Sequence, residues 1–164
     1  MHVSICRETV ADIPAIREIH LAAFGNNAEA NLVDQLRAEG HAHLSLVATG
    51  EDCLVGHIFF SQLHIDVIPA LALAPMAVKP GCQRRGIGSR LVEEGLQQAR
   101  EAGHRIVLVL GHPEFYPRFG FSAELAEPLQ SPYAGEAFMA LELETGALNG
   151  IDGQVRYPPP FAAM

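Results

Sequence analysis

Two rhythms of apolar positions run through the chain. Alternation with period two marks strands, because successive side chains point to opposite faces. His2 to Arg7 alternates in this way and reads as an edge strand. Leu44 to Ala48 and Leu54 to Ile65 are strand-like runs, and Thr49-Gly50-Glu51-Asp52 between them signals a hairpin. Ala70 to Val78 is a further apolar strand. Pro75 interrupts it and cannot donate to a ladder, so a bulge or local opening is expected there. Arg105 to Leu110 reads as a short buried strand and Phe138 to Leu143 as the final one.

The second rhythm is helical. Ile13, Ile16, Ile19, His20 and Ala23 form one stripe, with Asp12 as its cap and Pro14 in the first turn. Ala28 to Glu39 places Leu32, Val33 and Leu36 on one face and stops at Gly40. Gly88 to Ala102 is the third helix; with Ile87 before it, Leu91, Val92, Leu96 and Ala99 make its apolar face, and Gly103 is its stop. Pro113 to Phe119 predicts a short helix, followed by Gly120-Phe121 turning into the next strand. Gly150, Gly153 and Pro158-Pro159-Pro160 favour extended chain in a Pro-rich tail from about residue 146. With no internal repeat and no long linker, the order of elements predicts a single α/β domain over residues 1–164 with a mixed sheet.

Composition narrows this reading. The chain has 164 residues, enough for one domain with a real core. The formal charge is −8 and Lys79 is the only lysine, which argues against general nucleic-acid binding. Cys6, Cys53 and Cys82 are odd in number and widely spaced, with no C-x-x-C pair, and so suggest neither a disulfide framework nor a zinc ribbon. The N-terminus carries no signal-peptide pattern. The most apolar stretch, Ile65 to Val78, holds Asp66 and two prolines and is too short to span a bilayer. A cytoplasmic enzyme-sized domain, with no metal and no membrane partner, is the expectation.

The candidate chemistry lies at Gln83-Arg84-Arg85-Gly86-Ile87-Gly88-Ser89, between the Pro75 strand and the third helix. N–H groups at a helix start have no intrahelical partner and carry the positive end of the macrodipole, so this junction suits an anion. Gly86 and Gly88 let a phosphate approach the backbone, and Arg84, Arg85 and Arg90 add positive charge. A pyrophosphate ligand is the first inference. The P-loop pattern is missing, and the dinucleotide fingerprint fails because Leu91 stands where its third glycine belongs.

This loop, following Met76-Ala77-Val78, resembles the coenzyme A signature of the GNAT superfamily of N-acetyltransferases. Phe115-Tyr116-Pro117-Arg118-Phe119-Gly120-Phe121 resembles that family's F-Y-x-x-x-G-F element. Together with Leu110-Gly111-His112-Pro113 it is similar to the bacterial YhbS-like acetyltransferases. The resemblance runs from residue 1 to about residue 145, leaving the tail outside. It implies a central sheet of six to seven strands flanked by about four helices. It also implies acetyl-CoA as acyl donor and the primary amine of a small molecule or peptide as acceptor.

Under the resemblance, the pyrophosphate meets backbone N–H groups from about Arg84 to Ser89, and the pantetheine arm pairs with the strand edge at Met76, Ala77 and Val78. Tyr116 matches the tyrosine that protonates the departing thiolate. For the amine's proton the candidates are Glu29, at the start of the second helix, His64, Asp66 and His112; Glu29 is the one carried forward with Tyr116. Arg118 is a candidate for a phosphate contact or a turn brace, and Cys82 for a reactive thiol or a small buried side chain. Two other readings stay open: a non-catalytic acyl-CoA-binding or regulatory domain, and transfer of a different acyl group. Dimers are common in the superfamily, and the final strand with the tail is a candidate interface.

Overall fold

In the computed structural model, which describes residues 2–164, a seven-stranded mixed sheet carries helices on both faces. β1 (Ser4–Arg7), β2 (Ala42–Gly50), β3 (Cys53–Ile65) and β4 (Ile68–Val78) form an antiparallel run. β5 (Ile106–Leu110) lies parallel to β4, and β6 (Phe138–Glu142) closes the order antiparallel to β5. The crossover from β4 to β5 is α3 (Ile87–Glu101), as a parallel connection requires.

Each face has its own core. On one, Leu91, Val92, Leu96 and Ala99 of α3 pack with Leu46, Ile58, Phe60, Leu73 and Val109. Gly95 belongs to this face because a Cβ there would lie 2.5 Å from the Phe60 ring. On the other, Leu32, Val33 and Leu36 of α2 (Ala28–Ala38) pack with Phe59, Leu63, Ala72, Leu108 and Phe138.

The first helix, α1 (Ile13–Phe24), is pinned to the sheet by polar groups. His20 and His57 are fully buried, and His20 Nε2 lies 2.8 Å from His57 Nδ1. His57 Nε2 lies 2.7 Å from Ser45 Oγ, and Ser45 in turn bonds Glu8. Arg37 grips the Glu8 carboxylate through Nε at 3.0 Å and Nη2 at 2.7 Å. The carboxylate only accepts, so Ser45 donates to it, His57 Nε2–H donates to Ser45, and His20 Nε2–H donates to the bare His57 Nδ1. Burial holds both imidazoles below their ordinary range, which keeps the rings neutral and His57 Nδ1 bare, and His20 Nδ1 is left buried without a partner among the described residues.

Several boundaries differ from the sequence reading. Asp12 does not cap α1 with its side chain; a 3-10 turn over Val10–Asp12 comes first, and the Asp12 carboxylate accepts from the Thr9 N–H at 2.8 Å. Gly120-Phe121 leads not into a strand but into α4 (Ala123–Ala126), capped by Ser122. Phe138–Glu142 is not the last strand, because β7 (Val155–Arg156) pairs with the far end of β3. The Pro-rich segment then ends in a 3-10 turn, Pro159–Ala163. Ala147, Leu148, Val155 and Phe161 are buried in the second core, so this segment is part of the fold and not an appendage.

Candidate active site

β4 and β5 pair over three positions, Leu71 with Val107, Ala72 with Leu108 and Leu73 with Val109, and then diverge. Beyond them the register of β4 against β3 slips by one residue around Ala74 and Pro75, which is the bulge expected from the proline. From Ala74 to Val78, β4 keeps β3 on one side and has no strand partner on the other among the described residues. The sheet therefore opens into a cleft of about 860 Å³. Ala74 to Val78 line one wall, and Leu110, Gly111, His112, Phe115 and Tyr116 line the other.

At its end β4 turns into the glycine-rich loop. Gln83 Nε2 donates back to the Val78 carbonyl at 3.0 Å, and Arg84 and Gly86 both take left-handed backbone, with φ of 66° and 80°. The first bond of α3 runs from the Arg90 N–H to the Gly86 carbonyl at 3.1 Å, leaving the N–H groups of Ile87, Gly88 and Ser89 without intrahelical partners. A second hollow of about 420 Å³ lies over them, lined by Cys82, Gln83, Arg84, Gly86 to Ser89 and Arg118. Val78, Gln83, Arg84 and Phe115 line both hollows, so cleft and loop are continuous.

Tyr116 stands on the wall facing the β4 edge, at the start of a 3-10 turn. Its ring meets Phe115 and Phe121 edge-on at 5.0 and 5.6 Å, and burial pushes its phenol up to about 12. Gly111 fits beneath it because a Cβ there would collide with the ring. Arg118 lies 4.6 Å over the Phe115 ring and donates to the Phe115 carbonyl at 3.3 Å, while still facing the loop hollow.

Glu29, in the first turn of α2, also lines the cleft, and its Oε1 is buried with no hydrogen-bond partner among the described residues. The other proton-acceptor candidates divide. His112 lines the cleft, whereas His64 and Asp66 lie outside its lining. His64 is paired in the sheet with Pro69 and Arg156, and the Asp66 carboxylate accepts from the Gln154 N–H at 3.1 Å. Of the three arginines near the loop, Arg84 lines both hollows, Arg85 lines neither, and Arg90 donates to the Val3 carbonyl at 2.6 Å. Tyr133, Tyr157 and Phe161 also line the cleft, and no spacing in the sequence marks them.

Residues 13–121 match the acetyltransferase (GNAT) family model. The chain belongs to the GNAT family. It is 35% identical over 159 residues to the uncharacterized N-acetyltransferase YhbS of Escherichia coli strain K12, covering 94% of this chain and 95% of that one. It is 41% identical over 161 residues to the uncharacterized N-acetyltransferase YjhQ of the same strain, covering 92% and 89%. Among solved structures, Escherichia coli YhbS in complex with CoA superposes with a TM-score of 0.93 at 34% identity, over 99% of this chain and 93% of that one. A GNAT acetyltransferase from Brucella melitensis in complex with acetyl-CoA gives 0.84 at 35% identity, over 98% of both. The likeness to YhbS therefore extends through the Pro-rich segment and does not stop near residue 145. Among the described residues of this GNAT chain no helix is long and apolar enough to cross a membrane.

Proposed function

We propose that this protein is an acetyl-CoA-dependent N-acetyltransferase whose acceptor is the primary amine of a small molecule or peptide. One observation carries the reading: the unpaired β4 edge from Ala74 to Val78 runs straight into the free N–H groups of α3, with Tyr116 across the opening. An unpaired strand edge suits the amide-bearing pantetheine arm, and a helix start suits the pyrophosphate. Met76, Ala77 and Val78 would hold the arm. Gln83 to Ser89 would hold the phosphates, with Arg84 the guanidinium best placed to help and Arg85 contributing only long-range charge.

The amine nitrogen attacks the thioester carbonyl carbon, the C–N bond forms, and the C–S bond breaks as the tetrahedral intermediate collapses. An acceptor that arrives as an ammonium group first gives one proton through Glu29 or water to solvent; the neutral amine then loses a second as the amide forms, and the CoA sulfur gains one, so one proton is released overall. A phenol at about 12 is a weaker acid than a thiol at about 8.5, so full transfer from Tyr116 to a free thiolate runs uphill by about 5 kcal/mol. Tyr116 is thus suited to donate a hydrogen bond as charge builds on sulfur, with the final proton drawn from the amine through Glu29 or water.

The test is a thermal shift with acetyl-CoA and with CoA, followed by thiol release against a panel of amines. Stabilisation by both and release with some amine are expected; absence of any shift would sink the reading, and stabilisation without release would make the chain a binding module. Tyr116→Phe should lower turnover about 100-fold while leaving the acetyl-CoA shift nearly intact. Unchanged turnover removes Tyr116 from the mechanism.

A further inference from the structure

The acceptor end of the cleft has a composition of its own. Glu29 is the only carboxylate side chain in the lining, and its buried Oε1 lacks a partner among the described residues. Arg84 is the only arginine or lysine in the lining among those residues, and it sits at the loop end beside Gln83 and Val78. The remaining surface near the chain's last residues is aromatic apart from Met164. Tyr133 and Tyr157 meet edge-on with centroids 5.2 Å apart, and Phe161 lies 5.1 Å from Tyr157, tilted by 52°. Phe24, 39% exposed at the end of α1, adds a fourth ring to the lining. The elements are brought together by packing of α2 against the closing 3-10 turn.

We infer that this end of the cleft selects a singly charged amine carried on an apolar, preferably flat, body. Glu29 receives the ammonium group before its deprotonation, and the Tyr133, Tyr157 and Phe161 corner holds the body. The inference rests on the acetyl-transfer reading and deepens it. An unpaired buried carboxylate oxygen is costly unless a donor meets it, and an ammonium group is the donor an amine acceptor brings. The ring faces add attraction for the same cation and bury the carbon skeleton. Among the described residues, an acceptor with its own carboxylate finds no arginine or lysine at this end, and a polyamine finds no second side-chain carboxylate.

Thiol release from acetyl-CoA would be measured with phenethylamine, ethylamine, spermidine and glutamate as acceptors. Phenethylamine should exceed ethylamine in kcat/KM by roughly 10–100-fold, and exceed spermidine and glutamate as well. Tyr157→Ala and Tyr133→Ala, both at half-buried positions, should raise KM for phenethylamine several-fold more than KM for ethylamine, with the acetyl-CoA thermal shift retained. Glu29→Gln should lower kcat/KM for every amine. Preference for spermidine or glutamate, or equal KM changes for phenethylamine and ethylamine, overturns the inference while acetyl transfer stands. Failure of acetyl-CoA to stabilise the protein overturns both.

Discussion

Acid should destabilise this protein well before its carboxylates titrate, because of the chain linking His20, His57, Ser45 and Glu8. Burial, with the nearby His57 and Arg37, pushes His20 down to about 3. Burial also pushes His57 down, against the opposing pull of Glu8. In the unfolded chain both imidazoles return to about 6.5. The folded state therefore resists protons that the unfolded state accepts, and stability falls as pH drops below about 6.5. At pH 5 the difference for His20 is about 1.5 pH units, or about 2 kcal/mol, and His57 adds in the same direction. Glu8 acts later. Burial raises its pKa, but His57, Arg37 and Ser45 together bring it down to about 2, so its contribution is present above about 4.5 and lost as pH falls toward 2.

Urea unfolding at pH 7.5, 6.0 and 5.0, followed by far-UV circular dichroism, measures this directly. The wild-type unfolding free energy should fall by at least about 2 kcal/mol between the first and last conditions. His20→Gln keeps a donor for His57 Nδ1 but cannot titrate, so its decline should be smaller by about 2 kcal/mol. Equal stability at pH 7.5 and 5.0, or an unchanged decline in the variant, would refute the proton assignment along the chain.

Three further outcomes test other parts of the structure. Gly86→Val should abolish the acetyl-CoA thermal shift, because φ of 80° strains a β-branched residue and would shift the loop that lines the hollow; a preserved shift places the phosphates elsewhere. Removing residues 155–164 should lower the unfolding free energy by at least about 3 kcal/mol, the scale of losing one buried Phe161, as read by urea denaturation. Gly111→Ala should reduce acetyl transfer about tenfold or more with little change in acetyl-CoA affinity, since its Cβ would displace the Tyr116 ring; unaltered turnover would show that the ring's position does not matter.

Where local chemistry dictated structure, the chain was readable. The α3 face, its Gly103 stop and the bulge near Pro75 follow from period and from a missing N–H, and all are present. Four-residue α4 and two-residue β7 carry no period long enough to detect, and they exist through the partners they meet. The tail misled for a related reason. Its prolines suggest extended chain, while Val155 and Phe161, spaced without regularity, find the second core only in three dimensions. His64 and Asp66 show the same limit from the other side. They precede or begin the approach to β4 in sequence, yet strand register and a turn bond to Gln154 keep them out of the cleft.

That contrast bears on how the two halves of the site are specified. The proposed donor half comes from one continuous stretch, Ala74 to Ser89, whose backbone supplies the unpaired groups; a short motif records it because glycine and proline fix the backbone itself. The acceptor half is assembled from α1, α2, the segment after α4 and the chain's last residues, and it acts through side chains. These side chains lie on four separate elements with no fixed spacing between them, so no short motif records them. On the proposed reading, acceptor choice lies with Glu29 and the rings around it, and the glycine-rich loop carries no information about it.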